Sequence, residues 1–214
     1  DLVESGDPAA RMLFGQSDRA EGLRARVRRV APLDTEVLIT GAPGTGISKV
    51  AEVVHLSSLR SKAPFVKRAA ADLGPQGVAE ALEAAKGGSL FLDEVWHLPA
   101  ASQLTLLEAL EEGSAARLIA GSTRDLRAAV QEGALNADLY YRLEVMPVRI
   151  PSLSERPEDI PVLFRHYVAQ AAEQAGLAAP EIGPDQMAAL MAQDWPGNAR
   201  SLMSAAMRFV LGMP

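Results

Sequence analysis

Residues 41 to 48 read Gly-Ala-Pro-Gly-Thr-Gly-Ile-Ser, with glycines at 41 and 46 spaced as in the phosphate-binding pattern G-x-x-x-x-G-K-[ST]. A glycine loop that opens a helix directs backbone N–H groups and the positive end of the helix dipole at phosphate oxygens. The lysine of the pattern is absent, because Ile47 occupies its position. Lys49 lies two residues further on, roughly 200° round a helix, so it is expected to point away from the phosphates. The same eight residues, taken alone, also fit a plain strand-to-helix turn. The second group is Asp93-Glu94, two carboxylates that follow the apolar run Leu90-Phe91-Leu92. An Asp at the end of such a strand can hold Mg²⁺ beside bound phosphates, and the next carboxylate can polarise an attacking water. A charged cap on a buried strand is the competing reading.

These groups need a strand before the loop, a helix after it and a buried strand under the carboxylates. Glu36 to Thr40 is β-rich, and helical periodicity resumes from Ser48 to Leu59. Ser89 to Asp93 has the continuous apolar character of a strand covered on both faces. Residues 19 to 31 predict an amphipathic helix through Leu23, Val27 and Val30. Pro64 to Val66 predicts a strand, Gly77 to Ala85 and Ala100 to Glu111 helices, Arg117 to Ala120 a strand and Arg124 to Gln131 a helix, and the pattern changes after Val145 to Ile150. This alternation predicts an α/β fold, a parallel sheet with helices on both faces. Beyond Pro151-Ser152-Leu153 only helices are predicted, near 157–175, 184–192 and 198–211, with Pro157, Pro161, Pro184 and Pro196 at or near their starts. The expected organisation is an α/β nucleotide-binding unit over 1–150 and a small all-helical lid over 151–214.

Composition narrows the function. The 214 residues are 48% hydrophobic and 22% charged, with no apolar run long enough to span a bilayer, so a soluble cytoplasmic protein is expected. A net charge of −6 lacks the basic excess of a DNA-gripping surface, so any DNA contact is expected from a segment outside this one. Arg24, Arg26, Arg28 and Arg29 form a basic helix that is read as a solvated face or as packed beside the nucleotide cleft, with contact to nucleic acid as the competing reading. Cysteine is absent, and His55, His97 and His166 show no metal-ligand spacing. The chain begins without Met and is expected to be a piece of a longer protein.

Three further segments carry a family resemblance. Gly87 to Pro99 (GGSLFLDEVWHLP) resembles the Walker B segment of the sigma-54-dependent transcriptional activators, the NtrC-like AAA+ response regulators. Residues 136 to 161 resemble their arginine-finger and linker region, and 194 to 202 (DWPGNARSL) their sensor II helix; the opening from Phe14 also fits. Within the family, DWPGNAR followed by RFVLG is similar to the C4-dicarboxylate transport regulators. The resemblance implies a P-loop NTPase-like AAA+ fold with ATP or ADP and Mg²⁺ as cofactors. It implies Gly41, Gly44, Thr45, Gly46, Ile47 and Ser48 at the phosphates, Asp93 at the metal, Glu94 as the water-activating carboxylate, Arg142 as an arginine finger acting on a neighbouring subunit and Arg200 as sensor II. Implied partners are further copies of the chain, as a ring, dimer or weak oligomer, and RNA polymerase or a sigma factor.

The chain departs from the family pattern at five places. Ile47 replaces the lysine, a contact worth about 1.5 to 3 kcal/mol. Asn136 takes the place of the other arginine finger, and Thr123 that of the sensor I asparagine. The 21 residues between Phe65 and Gly87 are too few for the hairpin bearing the GAFTGA loop, and 112 to 117 is too short for the second surface hairpin. The expectation is a regulator domain that serves as scaffold, oligomerisation or nucleotide-sensing module, with weak or no ATPase and no sigma-54 remodelling. An active ATP-hydrolysing activator domain and a non-hydrolysing binder of nucleotide or another phospho-ligand are the competing readings.

Overall fold

The apolar strands read from the sequence become the centre of a five-stranded parallel sheet. The computed structural model describes residues 6–213; the outermost positions of the two expected units, 1–5 and 214, lie outside the described residues. The strands are β1 (Val37–Thr40), β2 (Phe65–Ala69), β3 (Ser89–Asp93), β4 (Arg117–Ser122) and β5 (Pro147–Arg149), in the spatial order β2-β3-β4-β1-β5. In register, Leu38 faces Ala120, and Leu92 faces the same Ala120 from the other side. All pairings are parallel, so the carboxyl ends of β1, β3 and β4 meet at one edge.

The continuous hydrophobicity of β3 and β4 follows from burial on both faces. Leu38, Leu90, Leu92 and Leu118 point into one core, beneath α4 (Pro75–Ala84), α5 (Ala100–Glu111), α6 (Leu126–Gln131) and α7 (Ala137–Leu143). Val37, Ile39, Phe91 and Ile119 point into the other, with α1 (Pro8–Met12), α2 (Asp18–Val30) and α3 (Ile47–Leu56). Leu23, Val27 and Val30 of α2 are buried there as their spacing predicts. The same helix holds two of its arginines against the protein, Arg24 donating to the Leu13 and Gly15 carbonyls and Arg28 pairing with Asp7, while Arg29 is exposed. Arg117 on β4 donates to the carbonyls of Val30, Ala31 and Thr35, closing the end of α2.

After β5 every described α or β element is helical: α8 (Ile160–Ala175), α9 (Pro184–Met191) and α10 (Asn198–Val210), around a core of Phe164, Val168, Trp195 and Leu202. The helix expected from Pro157 opens with short 3-10 turns, and its α-helical part starts at Ile160. Asp159, fully buried, ties this region to the N-terminal segment. Its carboxylate accepts from the amides of Gln16 (2.7 Å) and Ser17 (2.9 Å) and from the Ser17 hydroxyl, and pairs with Arg156. Burial alone would raise its pKa, but these donors and the Arg156 cation hold it below the ordinary value. Helices α1 and α7 were not expected from the sequence.

Candidate functional site

Residues 41 to 46 leave β1 at the shared carboxyl edge and turn into α3. Thr45 closes the turn by donating its hydroxyl (2.7 Å) and its amide (3.2 Å) to the Ala42 carbonyl. Gly44 and Gly46 have φ of 84° and 102°, a region where a side chain is strained. Helix geometry leaves the amides of Gly46, Ile47, Ser48 and Lys49 without intrahelical acceptors, so the loop offers N–H donors and a helix N-terminus to an anion. Among the described residues there is no group of three or more His, Asp or Glu side chains arranged for a metal. The carboxylate beside the loop that could hold a phosphate-bound Mg²⁺ is Asp93.

Ile47 departs from what its position in the motif implies for a side chain. Its amide belongs to the loop's free row, but its side chain is buried in the core. There it covers β4: a Cβ added to Gly121 would lie 2.7 Å from the Ile47 Cγ2 and 2.9 Å from the Phe91 ring. The branched chain has no polar atom, so it gains by turning under the loop instead of into the cleft. Lys49 turns towards Phe14, with its ammonium 5.0 Å from the ring centroid. Burial lowers its pKa, partly offset by Glu52. With Phe14, Thr45, Tyr167, Asn198 and other neighbours, Lys49 lines a cavity of about 60 Å³ between loop, N-terminal segment and lid.

Asp93 and Glu94 stand at the end of β3, beside the end of β4. Burial against the sheet and the neighbouring Glu94 charge push the Asp93 pKa up; the Glu94 amide and the Arg200 guanidinium pull it back. Glu94 adopts a left-handed φ of 52°, and its carboxylate is held on both oxygens: Oε1 accepts from the Thr123 amide (2.6 Å) and Oε2 from the Thr123 hydroxyl (2.8 Å). Thr123 is thus a member of the site whose contact the sequence reading missed. No local signal carries it, since the partners are 29 residues apart and follow the ends of two different strands.

The lid closes on the loop. The Arg200 amide donates to the Gly44 carbonyl (3.1 Å), and the Asn198 side chain donates to the Pro43 carbonyl (3.0 Å). Asn198 also stood inside a quoted motif without an assigned role. Arg142 is not brought to this edge. Its guanidinium donates to Glu36 (3.1 Å) and to the Leu110 carbonyl (2.6 Å), and Glu36 precedes β1 at the opposite end of the sheet. Asn136 caps α7, its side chain accepting from the Leu139 amide.

Comparison with known proteins gives this geometry relatives. Residues 14–153 match the family described as the sigma-54 interaction domain, and residues 154–213 match the AAA+ ATPase lid domain. The C4-dicarboxylate transport transcriptional regulatory protein DctD of Pseudomonas aeruginosa is 39% identical, over 94% of this chain and 50% of the relative. NtrX of Azorhizobium caulinodans, a nitrogen assimilation regulatory protein, is 36% identical over 93% of this chain and 50% of its own. The chain therefore spans about half the length of the curated relatives it matches. The crystal structure of NtrX from Brucella abortus in complex with ADP is similar with a TM-score of 0.86 and 36% identity, covering 98% of this chain and 52% of that one.

Proposed function

The chain belongs to the sigma-54 interaction domain family of AAA+ ATPases, and from that premise we propose that it is a regulator's central domain that binds nucleotide as a scaffold or sensor without driving sigma-54 remodelling. In this reading residues 1–150 and 151–214 are a nucleotide-binding unit and its lid. The amides of Gly44 and of Gly46 to Ser48 would hold the phosphates, the Thr45 amide being taken by the Ala42 carbonyl; Asp93 would hold the Mg²⁺, and Arg200 would approach from the lid. A bound nucleotide supplies a γ-phosphoryl group whose developing charge must be neutralised for transfer. The relative crystallised with ADP supports nucleotide as the ligand.

One observation carries the loss of turnover. The side chain that should place a cation at the β and γ phosphates is Ile47, packed in the core against Gly121. Two further features agree with it: both Glu94 oxygens are occupied by Thr123, and between β2 and β3 the chain holds a 3-10 turn (Ala70–Asp72) and the single α-helix α4. Partners are assigned accordingly. Self-association and contact with polymerase or a sigma factor are proposed on the strength of the family match alone, and any DNA contact is assigned to another segment, since this one lacks a basic excess. A hydrolysing activator is the second reading, favoured by Asp93, Glu94 and Arg200 standing together at the loop.

Calorimetry with MgATP and MgADP, phosphate release, and an open-complex assay with sigma-54 holoenzyme test the proposal. Nucleotide binding with background turnover and no promoter opening is expected. Turnover of about 1 s⁻¹ or more, abolished by Glu94→Gln, establishes the hydrolysing reading instead.

A further inference from the structure

Asn198 lies at the start of α10 in a left-handed conformation (φ 54°), buried, with its side chain bonded in two directions. Its carbonyl oxygen accepts from the Leu153 amide (2.8 Å), at the segment entering the lid; its NH₂ donates to the Pro43 carbonyl (3.0 Å), in the glycine loop. Since Leu153 N–H can only donate and Pro43 C=O can only accept, these partners fix which end of the amide is which. A second contact runs alongside, from the Arg200 amide to the Gly44 carbonyl (3.1 Å). Gly44 approaches Gly197 so closely that any Cβ there would collide with its carbonyl.

These contacts orient the loop. A trans peptide sets its C=O and N–H on opposite sides. Holding the Pro43 carbonyl towards Asn198 therefore aims the Gly44 N–H away from the lid. Holding the Gly44 carbonyl on the Arg200 amide leaves the Thr45 N–H facing the Ala42 carbonyl that it meets at 3.2 Å. One buried side chain thus spans three segments that are far apart in the chain: loop, entry to the lid, and lid helix.

We propose that Asn198 is the positioning residue that couples the glycine loop to the lid, so that a phosphate ligand on the loop tightens the docking of α10, and a docked lid pre-sets the loop for that ligand. Reciprocity is required, since coupling between two sites acts equally in both directions. The ligand half rests on the nucleotide reading above; the loop-to-lid half stands without it.

Two variants separate side-chain coupling from simple loss of fold. Asn198→Asp keeps the acceptor for the Leu153 amide and turns the donor into an oxygen facing the Pro43 carbonyl. Asn198→Gly keeps the left-handed backbone without strain. Hydrogen exchange of the full chain, followed in peptides covering 41–50 and 198–211, is the first readout. Both variants are expected to speed exchange in both segments by about tenfold or more, while β3 and β4 stay protected. The second readout adds MgADP. In the wild type it should protect both segments. In Asn198→Asp it should bind about tenfold more weakly and protect 41–50 only. Faster exchange confined to the lid, or MgADP protection of the lid that survives in Asn198→Asp, overturns the coupling. If MgADP does not bind the wild type, the nucleotide reading falls, and exchange without ligand decides the loop-to-lid half by itself.

Discussion

The Cγ2 of Ile47 occupies the space above Gly121 so closely that a Cβ on that glycine would lie 2.7 Å away. The pair is therefore coupled: the residue under the loop can be a buried isoleucine because the strand beneath it has no side chain at position 121. Gly121→Ala should destabilise the protein by about 1 to 3 kcal/mol through overpacking. With Ile47→Ala in the same chain part of that cost should vanish, giving a non-additive double-mutant cycle in chemical denaturation. Strict additivity would mean that the two sites do not share this space.

Ile47→Lys replaces a buried branched chain by one that must leave the core. It should lower stability by about 1.5 to 3 kcal/mol and tighten MgADP binding by up to about 3 kcal/mol, on the order of a hundredfold. Phosphate release should stay near background, because binding ground and transition states equally well does not accelerate chemistry. Calorimetry and phosphate release on one protein preparation check both halves.

Glu94 is held by both the amide and the hydroxyl of Thr123, so removing one donor should not free it. Thr123→Val should change stability by no more than about 1 kcal/mol and leave turnover at background. Turnover is expected to appear only when Ile47→Lys, Thr123→Asn and Asn136→Arg are combined. That variant gives up the Asn136 cap of α7, at a cost of about 1 kcal/mol. Phosphate release assays across the series decide it, and appreciable turnover in Thr123→Val alone would count against the clamp.

The Asp159 carboxyl is held below its ordinary pKa by Ser17, Gln16 and Arg156. Its folded value is thus lower than its unfolded one. The stabilisation is full above the usual carboxylate range, near pH 4, and is lost as pH falls through the lower folded value. Asp159→Asn should cost about 2 kcal/mol or more at neutral pH, since it leaves Arg156 buried beside a neutral group. It should also flatten the acid limb of a stability-against-pH curve; an unchanged acid limb would assign that limb to other carboxylates.

The fold was legible because its strands are continuous apolar runs and its loop is punctuated by glycine. Ser89 to Asp93 and Ala100 to Glu111 were read to the residue. What escaped was either too short for periodicity, as the five residues of α1, or tertiary. Glu94 with Thr123, and Asn198 with Pro43 across 155 positions, meet only because the parallel sheet brings strand ends and lid to one edge. Ile47 shows the same limit: its type revealed the missing cation, but only packing shows where its side chain goes.

Among the described residues, strand β2 ends the sheet with β3 as its one neighbour. Its outer row of backbone donors and acceptors is therefore available to any extended chain that drifts alongside, the usual start of edge-to-edge aggregation. The last three residues of the strand, Lys67, Arg68 and Ala69, are exposed, and two of them are cations. A second β2 arriving at that edge would bring like charges against them, so the segment most open to self-templating carries its own repulsion. Neutralising both, as in Lys67→Thr with Arg68→Val, should leave the folded core intact and shift the protein towards insoluble, thioflavin-positive assemblies on prolonged concentration.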